Sequence, residues 1–218
     1  MSLTIRNAQP ADADFIARTV LSGVGYAAFD AQALRQPIEV GDSTMQMSSA
    51  VDVFRDICAR EDTLYSYART RIAIVDGEQA GALISYPGAD NLQLRSYTWG
   101  LLIGNNTPAA SCEASNPAPG DPFLDADAEC EAGEYYLDSL AVHPSFRGRF
   151  FDYEGSRDKL GHILLLVGIR RGQALGLSRT SLIVDVDRPR LLHYYSQLGF
   201  RAVRNILFFG HPYTRMVK

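Results

Sequence analysis

Little cysteine is present: Cys58, Cys112 and Cys130 are the complete set. They show no CxxC or Cys/His spacing, which excludes a disulfide framework and a thiolate zinc site and leaves buried or idle thiols. An excess of positive charge is also missing. The formal net charge is -4, so the basic footprint of a nucleic-acid binder is absent. Long apolar runs are lacking too, since the longest, "ILLLVGI" from Ile163 to Ile169, is far below the roughly 20 residues a membrane-spanning helix needs. No membrane partner is therefore expected. The opening "MSLTIRNAQPADADF" has neither a basic n-region nor an apolar h-region, which sets a cytoplasmic location as the expectation. The sequon at Asn105-Asn106-Thr107 then has no chemical meaning.

What is there is ordinary for a protein with a proper core: 46% hydrophobic and 21% charged residues in 218. That length suits one domain spanning 1-218 with an enlarged loop or two. "LTIRNA" alternates as a short strand does, and Pro10 with Asp12 and Asp14 marks a helix start, the helix running to about Tyr26. Met47, Val51, Phe54 and Cys58 recur at three- and four-residue spacing, the core face of a second helix. Asp76-Gly77 separates two strand-like runs and predicts a tight hairpin. Between about 88 and 133 no period is sustained, and most of this stretch reads as a long irregular loop. "EYYLDSLAVHP" is apolar and β-rich enough for a central strand. Leu160, Leu164 and Val167 mark a helix to about Leu175, "RTSLIVDV" a buried strand, and Leu191, Tyr195 and Leu198 one face of a last helix capped by Asp187. "FRAVRNILFFG" and "YTRMVK" complete the sheet. The order implies an α/β (α+β) fold.

Two passages carry more than packing. In "YYLDSLAVHPSFRGR" an apolar strand opens into the basic turn Arg147-Gly148-Arg149, and "SLIVDVDRPRLLHYYSQLGF" closes on Tyr195-Ser196-Gln197-Leu198-Gly199-Phe200. With the hairpin before them, these resemble the GNAT superfamily of N-acetyltransferases in element order along the whole chain. The resemblance implies a single GNAT-like domain with a mixed, mostly antiparallel sheet flanked by helices and a splayed central strand. It implies acetyl transfer from acetyl-CoA to a primary amine of a small molecule or peptide, in a ternary complex, with no metal.

In such enzymes backbone N-H groups at a helix N-terminus hold the coenzyme A pyrophosphate. The resemblance places this role on Arg147, Gly148 and Arg149, then on Leu160 and Gly161 at the helix start, while main-chain groups of Leu140, Ala141 and Val142 serve the pantetheine arm and thioester oxygen. The family pattern R-G-x-G-x-G/A is interrupted here by an insertion at about 150-159. Either it bulges outward and leaves the amides free, or it blocks the site with Phe150 or repels the phosphates with Asp152 and Glu154. The outward bulge is preferred, because Ser156 and Asp158 read as helix-start residues and Arg147, Arg149, Arg157 and Lys159 balance the acids.

By the same resemblance Tyr195 is the acid that protonates the departing thiolate. Asp138 is the base for the substrate ammonium, with Glu134 as rival. Where the family has Asn before the last helix, this chain has Arg188. Arg95, Tyr97 and Trp99 are offered as a wall for the amine, against a plain packing role. His162, His193 and His211 are too scattered for a metal or triad group. A homodimer stays open. The alternative function is a non-catalytic acyl-CoA-binding or sensor module with the same fold.

Overall fold

The computed structural model describes every residue except 41–42, 103–127 and 209. Most of the long irregular loop expected at 88-133, with Cys112 and the sequon, lies outside the described residues. The described chain forms two compact units, Met1–Ser85 with Ser139–Gly168, and Tyr86–Asp138 with Ile169–Lys218.

In the first unit β1 (Leu3–Asn7) pairs antiparallel with β4 (Thr70–Val75), and β4 with β5 (Glu78–Pro87). The strand order is β1-β4-β5-β6, the last being Glu134–Val142. The turn between β4 and β5 is the predicted one: Asp76 and Gly77 both take positive φ, 49° and 90°, as a primed turn requires. Helix α1 (Ala13–Gly23) follows one 3-10 turn at Pro10–Asp12. Buried Asp12 accepts from Arg6 Nη1 and Nη2, Gln9 N and Gln79 Nε2 at 2.7–2.8 Å. Helix α2 (Met47–Cys58) buries Met47, Val51, Phe54 and Cys58, the first three each contributing roughly 1.5–3 kcal/mol if fully buried. Ahead of α2, β2 (Pro37–Val40) and β3 (Ser43–Gln46) pair as a small ribbon that the sequence pattern did not reveal.

In the second unit the order is β6-β9-β11-β10. Strand β6 (Glu134–Val142) belongs to both units. It pairs in parallel with β9 (Arg179–Asp185) over Glu134↔Arg179, Tyr135↔Thr180 and Tyr136↔Ser181. Strand β9 continues four residues beyond that ladder, alongside β11 (His211–Val217), which also pairs antiparallel with β10 (Arg201–Phe208). β6 is the central splayed strand of a mixed, mostly antiparallel sheet. Helix α3 (Asn91–Leu102) occupies part of the stretch read as irregular. Helix α4 (Leu160–Ala174) runs on β6, and a Cβ at Gly172 would meet Tyr135 Cβ at 2.5 Å.

Helix α5 (Pro189–Gln197) corrects two expectations. Arg188 sits at its N-cap and Asp187 makes no side-chain cap; instead Asp187 N donates to Asp185 Oδ1 at 2.8 Å. Its predicted face is also not core, for α5 has no buried residue and Leu191 is 37% exposed.

Candidate active site

The first unit holds the loop after β6. His143 N donates to Ala80 O at 2.8 Å, the turn Pro144–Phe146 follows, and Arg147 Nε donates back to Val142 O at 2.8 Å. Gly148 then takes a φ of 74°, which a side chain would resist. The inserted residues form an antiparallel ribbon, β7 (Phe150–Tyr153) and β8 (Ser156–Lys159), turning at Glu154 and Gly155, both with positive φ. Ser156 is thus a strand residue and starts no helix, which corrects that expectation. Asp158 does stand next to the helix start, where Oδ1 accepts from Lys159 N and Oδ2 pairs with His162 Nδ1.

Phe150 pairs with Lys159, so the ribbon's base returns the chain beside its own start. Arg149 and Leu160, eleven positions apart in sequence, flank one cross-strand pair, whose Cα atoms in any antiparallel ladder are about 4.5–5.5 Å apart. Helix α4 begins at that point, with Leu160 buried. Phe150 is 54% exposed with the Lys159 ammonium 5.7 Å from its ring centroid, while Phe151 is buried. At Gly161 a Cβ would find Val142 Cγ2 at 3.7 Å and Leu140 Cδ2 at 3.8 Å, ordinary contacts. Protein packing does not require a glycine there.

The second unit holds Asp138 and Tyr195. Asp138, half-buried on β6, accepts from Tyr86 Oη at 2.6 Å, and Asn91 Nδ2 donates to Tyr86 Oη at 3.2 Å. Behind them Tyr136 Oη donates to Glu129 Oε2 at 2.7 Å, and Arg95 Nη1 stands 3.4 Å from Glu129 Oε1. Burial pushes the Glu129 carboxyl up, against the Tyr136 and Arg95 contacts that favour its charge. Arg95, only 4% exposed and committed to Glu129, does not form a wall for an amine; the packing role holds, and Tyr97 is buried too.

Glu134 is no rival base. It is fully buried, its two oxygens 2.5–2.6 Å from Arg215 Nη2, and it accepts from Glu131 N at 3.0 Å. Burial works to raise its proton affinity, but the Glu131 amide and the Arg215 guanidinium outweigh it and hold the carboxyl below the usual range.

Tyr195 lies half-buried on α5, its ring edge-on to Phe200 at 5.8 Å and tilted to Tyr194 at 5.4 Å. Burial first, and Tyr194 second, push the Tyr195 phenol up to about 12, so it carries its proton at neutral pH. Its hydroxyl makes no hydrogen bond to any described residue.

Arg188, the replacement for the family's Asn, has Nε 3.7 Å from Asp185 Oδ2. His211 Nε2 lies 2.8 Å from Asp185 Oδ1, and His193 pairs with Gln197 one turn on. Asp185, Asp187 and His211 have ligand-type atoms within 4.8 Å of one another, but a cation there would compete with the Asp185–His211 bond and the Arg188 guanidinium. Tyr86, Asn91 and Glu129 are the residues that motif reading missed. Asn91 and Glu129 lie in the stretch without hydrophobic period, and Tyr86 looks like one more apolar strand position.

This architecture has known counterparts. An N-acetyltransferase from Staphylococcus aureus superposes over 99% of this chain and 100% of its own, with a TM-score of 0.67 at 20% identity. A second acetyltransferase structure matches over 99% and 98% with a TM-score of 0.64 at 26% identity. A protein from Desulfovibrio desulfuricans assigned to the GNAT acetyltransferase family covers 100% and 98% with a TM-score of 0.52 at 16% identity. Neither a protein-family model nor a curated protein matches the sequence. The chain has the fold of the GNAT acetyltransferases, as its motifs imply. Its structural neighbours support acetyl transfer in general. No helix among the described residues is long and apolar enough to cross a membrane.

Proposed function

We propose that this protein is an acetyl-CoA-dependent N-acetyltransferase acting on a primary amine of a small molecule or peptide. The observation that carries the proposal is the base of the β7–β8 ribbon, which brings Arg149 back beside Leu160 and so leaves a basic turn next to a helix N-terminus. Amides and dipole there suit a diphosphate, with Arg147, Gly148, Arg149, Leu160 and Gly161 as its cradle. Main-chain groups of Leu140, Ala141 and Val142 on the splayed strand receive the pantetheine arm and the thioester oxygen.

Chemistry then needs a neutral amine, a stabilised oxyanion and a proton for sulfur. Asp138 takes a proton from the substrate ammonium, directly or through water. The amine nitrogen attacks the thioester carbonyl carbon, the C–N bond forms, collapse of the tetrahedral oxyanion breaks the C–S bond, and the nitrogen gives up its second proton to water, from which the Tyr195 phenolate is reprotonated. Tyr195 gives its phenolic proton to the departing thiolate, and the free orientation of that hydroxyl suits the task. Its raised proton affinity makes it a weak acid but a fully loaded one. Cys58 and Cys130 are buried, with thiols pushed well up by that burial, which disfavours an acyl-cysteine route.

The test is CoA release across a broad amine panel, repeated with Tyr195→Phe and Asp138→Asn. The proposal expects turnover with at least one amine and losses of about 10²–10⁴-fold in kcat for either variant. Acetyl-CoA binding with no thiol release for any amine would establish the sensor module instead.

A further inference from the structure

Asp138 is held by a neighbour whose own hydrogen bonds leave it one orientation. Tyr86 is almost completely buried, at 1% exposure, and donates to Asp138 Oδ2 at 2.6 Å. Asn91, also buried, donates one amide proton to Tyr86 Oη at 3.2 Å and also bonds Glu129. An amide nitrogen has two protons, so these two acceptors fix which way the Asn91 side chain points. With the phenol oxygen already accepting from Asn91, its own proton is directed at the carboxylate. Burial first, then the charges of Asp138 and Glu129, raise the Tyr86 phenol well above its ordinary value, so the donor stays protonated.

Ring packing secures the same geometry. Tyr86 meets Tyr136 edge to face at 5.6 Å, and Tyr136 is itself anchored to Glu129. Tyr86 from β5, Tyr136 from its own strand and Cys130 from the segment before β6 all feel the Asp138 charge, and Glu129 and Arg215 act on these neighbours in turn. A hydrogen bond donated to a carboxylate, as Tyr86 donates here, favours its charged form.

We propose that Tyr86, oriented by Asn91, is a positioning residue that holds Asp138 as an ionised carboxylate in a fixed orientation. This rests on the reading of Asp138 as the base. It extends that reading by naming the residues that aim it and set its proton affinity.

The experiment is a carbon-13 NMR titration of the Asp138 carboxyl, assigned with Asp138→Asn, in wild type and Tyr86→Phe, beside the pH profile of kcat/KM. Loss of a hydrogen bond to a charged group shifts a carboxyl upward by about one pH unit. The expected result is that shift, with the acid limb of the profile moving by the same amount and KM for acetyl-CoA unchanged. A residue serving the core alone would lower the melting temperature and leave the midpoint where it was. That outcome in folded Tyr86→Phe overturns the proposal. Should Tyr86→Phe fail to fold, Asn91→Ser releases the phenol instead, and a smaller upward shift is expected; none overturns it. Full activity in Asp138→Asn would refute the base assignment separately, with the titration still judging the Tyr86 contact.

Discussion

Helix α4 contains two glycines whose replacement should have opposite effects. At Gly172 a Cβ would stand 2.5 Å from Tyr135 Cβ and 2.8 Å from Cγ, so helix and strand touch there and alanine must push them apart. At Gly161 the nearest atoms to a Cβ would be 3.7 Å away, so alanine fits. Alanine in a helix gains up to about 1 kcal/mol over glycine, worth about 2–4 °C in a chain of this size. Gly161→Ala should therefore raise the melting temperature of the free protein slightly. If the first turn of α4 holds the pyrophosphate, the same methyl group meets the ligand. At free acetyl-CoA of 100 Kd the wild type gains about 2.7 kcal/mol, and tenfold weaker binding leaves about 1.4 kcal/mol at the same concentration. The ligand-induced thermal shift should fall by about half in Gly161→Ala and nearly vanish in Gly161→Val. Thermal unfolding with and without acetyl-CoA reads both quantities. A Gly161→Ala protein more stable than wild type and equally responsive to acetyl-CoA refutes the placing of the coenzyme at this turn.

Further outcomes follow from the buried contacts. Gly172→Ala should lose about 1–3 kcal/mol despite alanine's better helix propensity, seen as a lower urea midpoint. Arg215→Met takes from the fully buried Glu134 its nearer guanidinium and leaves only Arg179, 3.6 Å away, a loss of up to about 3–5 kcal/mol; adding Glu134→Gln should restore part of it. Asp12 and Glu134 both have proton affinities lowered in the fold, in each case against burial, through Arg6 and Gln9 for the first and Glu131 and Arg215 for the second. A depressed carboxylate adds stability that is complete above the unfolded value of about 4 and lost as pH falls through the folded one. Acid titration of the melting temperature should thus be flat above about pH 5 and fall below 4, and Asp12→Asn should flatten the fall.

Apolar periodicity made most of this fold legible in the sequence. Strand β6, the Asp76-Gly77 hairpin and the α2 face each present a pattern of period two or 3.6, or a turn dipeptide, and each formed. Helix α3 escaped because its buried positions include Asn91, Arg95 and Thr98, of which Asn91 bonds Tyr86 on the preceding strand and Arg95 bonds Glu129, 34 positions on. A polar buried face carries no hydrophobic signal. The β7–β8 ribbon escaped for another reason: Glu154-Gly155 is a fair turn signal, but Ser156 and Asp158 compete as helix-start residues, and cross-strand pairing decided. The apolar face of α5 was legible as a pattern, yet it stays partly exposed. The main-chain roles proposed for Leu140, Ala141 and Val142 would leave almost no side-chain signature, so resemblance alone suggests them.

The claim that the acetyl group passes straight from sulfur to nitrogen has one direct measurement. Protein is mixed with an equimolar amount of acetyl-CoA, with and without an accepted amine, and thiol, N-acetyl product and intact protein mass are followed together. The account predicts no thiol and no acetylated protein without amine, and one thiol per N-acetyl product with it. Acetyl found on the protein itself, or thiol released before any amine is added, would contradict it.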